Sequence, residues 1–222
     1  MIKKIGIVFL VIIVGFAVTL WIISEPRPQG ISGDEADALA KEMQTALNQS
    51  AYDSVKVLRW NFKGMHQYVW DKANETVEVS WAETRVELNL KTMSGVVYVS
   101  ENLKSDEGEV KQAISYFYND SFWVVAPYKL FDDGVVRSVV DTEEGRALMV
   151  TYTSGGVTPG DAYLWFLDEK GFPYKYKMWV SIIPVGGLEF TWEQWKQYDN
   201  VWLPGTHKGL IEVEITDVGV EM

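Results

Sequence analysis

The hydrophobic period of this chain changes from about 3.6 to 2 near residue 56. Before that point, DEADALAKEMQTALN (Asp34 to about Asn48) sets Ala36, Leu39, Ala40, Met43 and Leu47 on one stripe beside a charged flank. That pattern predicts an amphipathic helix lying over a sheet. Beyond it, Leu58, Trp60 and Phe62 alternate with Arg59 and Asn61, and His66, Tyr68 and Trp70 repeat the pattern. Val77, Val79 and Trp81 follow, then Val86, Leu88 and Leu90, then a short strand over Val96–Ser100. Strands of this length, joined by turns such as Asp71-Lys72-Ala73-Asn74, read as an antiparallel meander with one wet face. A second helix is expected after a Ser105 cap, with Asp106, Glu107 and Glu109 in its first turn and Val110, Ala113, Ile114 and Phe117 on its apolar face. It should end before Asn119-Asp120.

Strands then resume at Phe122–Val125, Val135–Asp141, Arg146–Thr153, Ala162–Leu167, Tyr174–Ile183, Leu188–Trp195 and Thr206–Thr216, separated by glycine turns. The fold class expected is α+β and mainly antiparallel β. It is a curved sheet or incomplete β-barrel with two helices packed on its concave side, preceded by one N-terminal transmembrane helix.

That leading segment is the clearest local signal. Lys3 and Lys4 precede nineteen uncharged residues, Ile5 to Ile23. At about 1.5 Å per residue these span roughly 28 Å, close to a bilayer's hydrocarbon core. Trp21 stands where an interfacial aromatic would, and the lysines orient the N-terminus to the cytoplasm. The alternative is a cleaved signal peptide, against which stand the length of the run and the lack of an A-x-A-like site. Either way the remainder is exported. The expected division is 1–24 anchor (or signal peptide), 25–33 linker (EPRPQGISG) and 34–222 exported domain, with the chain held in the inner membrane through residues 5–23. The location expected is therefore single-pass in the cytoplasmic membrane, with the C-terminal domain periplasmic.

Charge and composition narrow the partners. The chain of 222 residues carries −11, and removing Lys3 and Lys4, the only charges before Glu25, takes the remainder to −13. So acidic a domain is a poor match for nucleic acid. With no cysteine, disulfides, thiolate metal sites, a cysteine nucleophile and a lipidated cysteine are excluded. Histidines number two, His66 and His207, far apart in sequence. Neither a metalloprotease, a serine-hydrolase, a P-loop nor a dinucleotide motif is present. Asp132-Asp133 and Asp141/Glu143/Glu144 sit at turns, without EF-hand spacing. The expectation is no catalytic residue, no metal and no cofactor.

The anomaly is aromatic. Nine of the ten tryptophans lie beyond Trp21. In YLWFLDEKGFPYKYKMW (Tyr163–Trp179) the first strand is apolar on both sides, with Tyr163, Trp165 and Leu167 on one and Ala162, Leu164 and Phe166 on the other. Such a strand must be covered on both faces. The side chains either fill a thick core, wall a cavity for an apolar group, or present exposed tryptophans for sugar stacking.

The stretches HQYVWD (His66–Asp71), FYNDSFWVVAPYKLFDDG (Phe117–Gly134) and YTSGGVTPGDAYLWFLDEKGFPYKYKMW (Tyr152–Trp179) resemble a family of uncharacterised bacterial envelope proteins, over most of the chain after residue 34. More distantly, the strand-DxxxGxP-strand hairpin and the element order resemble the lipoprotein-carrier superfamily, with its LolA/LolB-like fold. That resemblance implies an open barrel, helices as a lid, and an apolar cavity that receives lipoprotein acyl chains. It points to Trp60, Phe62, Tyr68, Trp70, Trp81, Val86, Leu88, Tyr163, Trp165, Tyr176 and Met178 as an apolar wall. Asn119, Asp120, Gly155, Gly156 and Pro159 are its candidate gate or loop positions. Two departures matter: a carrier of that class is cleaved and diffuses, whereas this chain is expected to keep its anchor on a linker of roughly ten residues that reaches only about 35 Å, and the receptor of the class is held by a lipidated cysteine, which this chain lacks. The function expected is a non-enzymatic, membrane-tethered domain that binds a lipid or lipoprotein acyl chain, with no protein partner named. The alternatives are a filled interaction module of the cell envelope, and a hydrolytic or carbohydrate-binding domain.

Overall fold

A computed structural model describes residues 24–154 and 158–222. Helix α1 spans Asp34–Ala46 and α2 spans Gln49–Ser54. Six strands follow: β1 Val57–Phe62, β2 His66–Asp71, β3 Thr76–Trp81, β4 Thr84–Asn89, β5 Ser94–Val99 and β6 Asn102–Lys104. Helix α3, Glu107–Val125, runs into a 3-10 turn at Ala126–Tyr128. Strands β7 Val135–Thr142, β8 Gly145–Tyr152, β9 Ala162–Leu167, β10 Pro173–Trp179 and β11 Leu188–Thr191 form the second block. The chain ends in β12 Lys196–Tyr198, β13 Val201–Leu203, β14 Thr206–Lys208 and β15 Glu212–Glu221.

Every ladder described is antiparallel, and the described residues form no closed barrel. The strands divide into an eight-stranded sheet, β14-β15-β1-β2-β3-β4-β5-β6, a five-stranded sheet, β11-β10-β9-β8-β7, and the pair β12-β13. The expectation of one curved sheet with two helices is corrected, among the described residues, to three sheets with three α-helices. The C-terminal strand closes back on the first: Val57 lies opposite Glu221, and a bulge between Arg59 and Asn61 shifts the register.

The predicted alternation holds through the eight-stranded sheet. Leu58, Trp60, Tyr68, Val77, Val79, Val86, Leu88 and Val97 are buried on its inner face. The outer face is wet, and Arg85 bridges Glu78, Glu87 and Glu101 there, exposed pairs worth roughly 0–1 kcal/mol each.

Helix α3 departs most from expectation. The stretch Phe122–Val125, read as a strand, is its last turn. The cap is not Ser105 but Asp106, and Asp106 Oδ1 accepts from Gly108 N at 2.9 Å and Glu109 N at 3.2 Å. Asn119, Asp120 and Ser121 therefore lie inside the helix rather than at its end. The C-terminal half is buried on more than one side, so its sequence lacks the one-sided period that marks a surface helix.

The five-stranded sheet explains the doubly apolar β9. Its inner face carries Tyr163 and Trp165 toward α3. Its outer face carries Ala162, Leu164 and Phe166, which pack with Val140, Ala147 and Met149 as a second core. Residues 25–31, within the stretch 25–33 expected as a linker, run across this sheet as a strap. Glu25 N donates to Gly186 O at 2.9 Å, the Glu25 carboxylate meets Lys177 Nζ at 2.8 Å, and Trp179 Nε1 donates to Glu25 O at 2.8 Å. Arg27 bonds the Thr151 hydroxyl. Ile31 exchanges both backbone hydrogen bonds with Val139, at 2.9 Å each, and so pairs with the edge strand β7. Glycine is required where the strap docks: Gly187 has φ 80°, and a Cβ there would lie 2.6 Å from Glu25 Cβ. Helix α1 packs its buried Ala36, Ala40 and Met43 beside β7 and β8, and Asp37 pairs with Arg137 at 2.7 Å.

The anchor expected over residues 5–23 lies outside the described residues. Among the described residues no helix is long and apolar enough to cross a membrane.

Candidate functional site

Helix α3 is the common wall of two unlike spaces. Its middle turns press on the eight-stranded sheet. Phe117 meets Trp60 and Tyr68 at ring-centroid distances of 6.4 Å and Trp70 at 5.2 Å. Trp60 and Tyr68 stack at 4.5 Å. Tyr116 stacks on His66 at 3.9 Å and meets Trp81 edge-on at 5.3 Å. Trp60 and Tyr68 are buried in this packing, and Phe117 also borders the cavity described below.

A polar clamp fixes this half. Asp120 faces the sheet, and its Oδ2 lies 2.6 Å from both Tyr68 Oη and His66 Nδ1. Burial pushes the Asp120 carboxyl up, and the hydrogen bonds from Tyr68 and His66 pull against that rise. Burial likewise pushes the Tyr68 phenol above its ordinary value, with the Asp120 charge adding to it.

Under the last turns of α3 the packing opens. A cavity of about 540 Å³ lies between this end of the helix and strands β8–β10. That is within the roughly 300–1,000 Å³ common for small-molecule sites. Phe122 and Trp123 of α3 form one wall, and Tyr152, Tyr163, Tyr176, Met178 and Val180 the other. Trp70 and Leu90 of the eight-stranded sheet reach one end. Phe122 lies 4.3 Å from Tyr163, ring to ring, and Trp123 meets Phe190 at 5.0 Å. The lining also includes polar residues, Lys129, Asp132, Asp133, Ser154, Thr158 and Asp161, and the apolar pair Ile182 and Ile183. Lys129 pairs with Asp132 at 2.8 Å. Asp161 is buried and occupied: it accepts from Ser181 N at 2.8 Å and from Thr158 Oγ1 at 2.5 Å. Ile182 stands 72% exposed at the mouth.

His207 holds the cavity end of α3 in place. It is fully buried, with Nε2 2.8 Å from Trp123 O and Nδ1 3.1 Å from Thr191 O. Trp123 O is one of the helix-terminal carbonyls that need an outside donor. Burial lowers the His207 pKa to about 4, so the ring is neutral at pH 7 and donates through one nitrogen only.

The predicted wall divides between the two spaces. Trp70, Tyr163, Tyr176 and Met178 line the cavity. Trp60, Phe62, Tyr68, Val86, Leu88 and Trp165 are buried side chains of the packed core instead, and Trp81 packs at its margin against Tyr116. Of the gate positions, Asn119 lines the cavity, whereas Asp120 turns away into its clamp with His66. Pro159 borders a smaller cleft of about 340 Å³ with Trp179 and Gly186. Gly155 and Gly156 lie outside the described residues. Sequence reasoning missed Phe122, Trp123, Tyr152, Val180, Ile182 and Ile183. Reading Phe122–Val125 as a strand hid the first two.

Among the described residues no group of three or more His, Asp or Glu is placed to hold a metal ion. No family model matches the chain, and no curated protein matches it. Among solved structures it is similar to a DUF1329 family protein from Desulfovibrio piger ATCC 29098. The identity is 9%, the TM-score 0.46, and the match covers 86% of this chain and 95% of that one. At that identity and score the likeness carries no functional information.

Proposed function

We propose that this protein is a non-enzymatic, membrane-tethered envelope domain that binds one apolar ligand, a lipid or lipoprotein acyl chain, in the cavity beneath the C-terminal end of α3. The observation that carries the reading is the cavity itself: about 540 Å³ walled by Phe122, Trp123, Tyr163, Tyr176, Met178 and Val180. At roughly 0.8 kcal/mol per buried methylene, an acyl chain burying about ten of them gains some 8 kcal/mol gross, before the cost of association. Adaptable aromatic and methionine side chains suit a ligand without fixed shape.

The strap supports a site at the membrane surface. Ser24 Oγ accepts from Gly186 N at 3.0 Å, and Gly186 belongs to the loop that carries Ile182 and Ile183 to the cavity rim. A chain leaving the bilayer at residue 23 thus reaches the mouth at once, with no free linker between. The domain takes its ligand from the adjacent leaflet rather than shuttling as a diffusing carrier would.

Native mass spectrometry of residues 24–222, purified from an export host without detergent, tests this. A stoichiometric adduct of acyl-chain mass, lost in a Val180→Trp variant, is expected. A clean unliganded mass that does not change on adding fatty acid, glyceride or phospholipid removes the reading.

A further inference from the structure

The five-stranded sheet has two unlike ends. At one, the β7–β8 and β9–β10 turns are charged, with Glu143-Glu144 and Asp168-Glu169-Lys170. At the other, the chain passes from β10 into β11 through VSIIPVGGL (Val180–Leu188), nine residues without a charge. Ile182 stands out of this loop, 72% exposed, while Val185 is buried at its root. A hydrogen bond of 3.2 Å from Ile183 N to Val180 O closes the turn.

A second bare tip lies beside the first. The turn between β14 and β15 carries Leu210 and Ile211, 79% and 51% exposed. It is seated against the start of β11: a Cβ on Gly209 would lie 2.4 Å from Glu189 O and 2.6 Å from Phe190 Cδ1, so glycine is what allows the close approach. The Val180–Gly187 loop enters that same strand, so both tips belong to one end of the molecule.

Single exposed aliphatic side chains are ordinary on a soluble surface. Turn tips, however, favour Gly, Asn, Asp, Ser and Pro, and here two neighbouring turns expose Ile182, Leu210 and Ile211. The course of the chain says what covers them. Ser24 Oγ accepts from Gly186 N at 3.0 Å, and the nineteen residues before Ser24, Ile5–Ile23, carry no charge, a length suited to a bilayer. On the tethered reading, the bilayer surface therefore lies at the foot of this loop. Charge does not draw this end to lipid: Asp132 and Asp133 precede β7 there, Lys129 is paired with Asp132, and Lys208 with Glu193. The contact is apolar, and weak insertion suffices because a tether holds the tips at high effective concentration over the lipid.

We propose that Ile182, Leu210 and Ile211 dip into the boundary between headgroups and acyl chains of the leaflet from which Ser24 emerges, and so set this end of the sheet on the membrane. Ile182 and Ile183 also line the cavity, which therefore opens at lipid rather than at water. This rests on the membrane-tethered reading above, and not on which ligand the cavity holds.

The chain has no cysteine, so single nitroxide labels can be placed through Ile182→Cys, Leu210→Cys, Glu169→Cys and Val14→Cys, in the full chain at one copy per phosphatidylcholine nanodisc. Power saturation compares contact with oxygen, which concentrates in lipid, and with a nickel chelate, which stays in water. Labels at 182 and 210 are expected to favour oxygen, at a depth of about 5–10 Å, where interfacial apolar groups sit. The label at 14 should favour oxygen and the label at 169 nickel. Adding phosphatidylserine or salt should leave these depths unchanged. Labels at 182 and 210 that favour nickel, while the label at 14 favours oxygen, overturn the membrane edge and leave the tether standing. Shielding of both tips from both reagents means that protein covers them, which overturns the proposal as well. Insertion only with anionic lipid, or lost with salt, contradicts an apolar contact. A label at 14 that favours nickel removes the tether and this proposal together.

Discussion

One helix packs solid at its middle and open at its end. Under the middle of α3, Trp60 and Tyr68 stack at 4.5 Å and Phe117 wedges against both. Under its last turns, Phe122 and Trp123 meet the rings of the five-stranded sheet mostly edge-on or tilted, and about 540 Å³ is left between them. Both regions are rich in aromatic residues. Aromatic content alone therefore does not distinguish a core from a binding site. What differs is whether the rings close on one another, as Trp60 and Tyr68 do, or leave space between them, as Phe122 and Trp123 do with the five-stranded sheet.

Truncation should separate the two regions most sharply. Trp60→Ala opens a void in the packed half and should cost about 3–5 kcal/mol, read by urea unfolding. Met178→Ala, on a wall that already lacks neighbours on one side, should cost less, under about 2 kcal/mol. Equal costs would break the comparison.

The joint between the halves should respond to pH. His207 titrates near 6.5 in an unfolded chain and at about 4 in the fold. Above pH 6.5 neither state is protonated. Between 6.5 and 4 the unfolded chain binds the proton and the folded one does not. Stability should therefore fall across that window by up to about 3 kcal/mol. The difference between parent and His207→Gln unfolding curves isolates that loss, and a pH-independent difference contradicts it.

Asp120→Ala strands Tyr68 Oη and His66 Nδ1 beneath the filled half. It should cost about 2–3 kcal/mol without changing ligand occupancy by mass spectrometry. A lost ligand would mean that the two halves are coupled. The smallest effect is expected from filling the open half. Val180→Trp should change stability by less than about 1 kcal/mol while abolishing the adduct. Val86→Trp, the same enlargement in the packed half, should cost about 2–3 kcal/mol or more.

Alternation along β1–β4 told which side chains turn inward, and Ala162–Leu167 was read to the residue. It could not tell whether the inward space is full. Trp60 and Tyr163 give the same period-2 signal, yet one is core and the other cavity wall. Phe122-Trp123-Val124-Val125 reads as strand by propensity, because aromatic and β-branched residues favour strands. It is helix because α3 continues through it between two sheets, a long-range circumstance. The strap was foreshadowed by β9 being apolar on both faces, which demanded a cover. EPRPQGISG itself looks like any proline–glycine linker, and only the partners at Gly186, Thr151 and Val139 show that it docks. The clamp of Asp120 with His66 and Tyr68 joins residues more than fifty positions apart, beyond what spacing can reveal.

The most direct measurement is a crystal structure of residues 24–222 under xenon pressure, since xenon enters apolar cavities large enough to hold it. Xenon is expected among Phe122, Tyr163 and Met178, and none between α3 and the Trp60–Tyr68 stack. Xenon beneath the eight-stranded half, or its absence under the end of α3, would contradict this expectation.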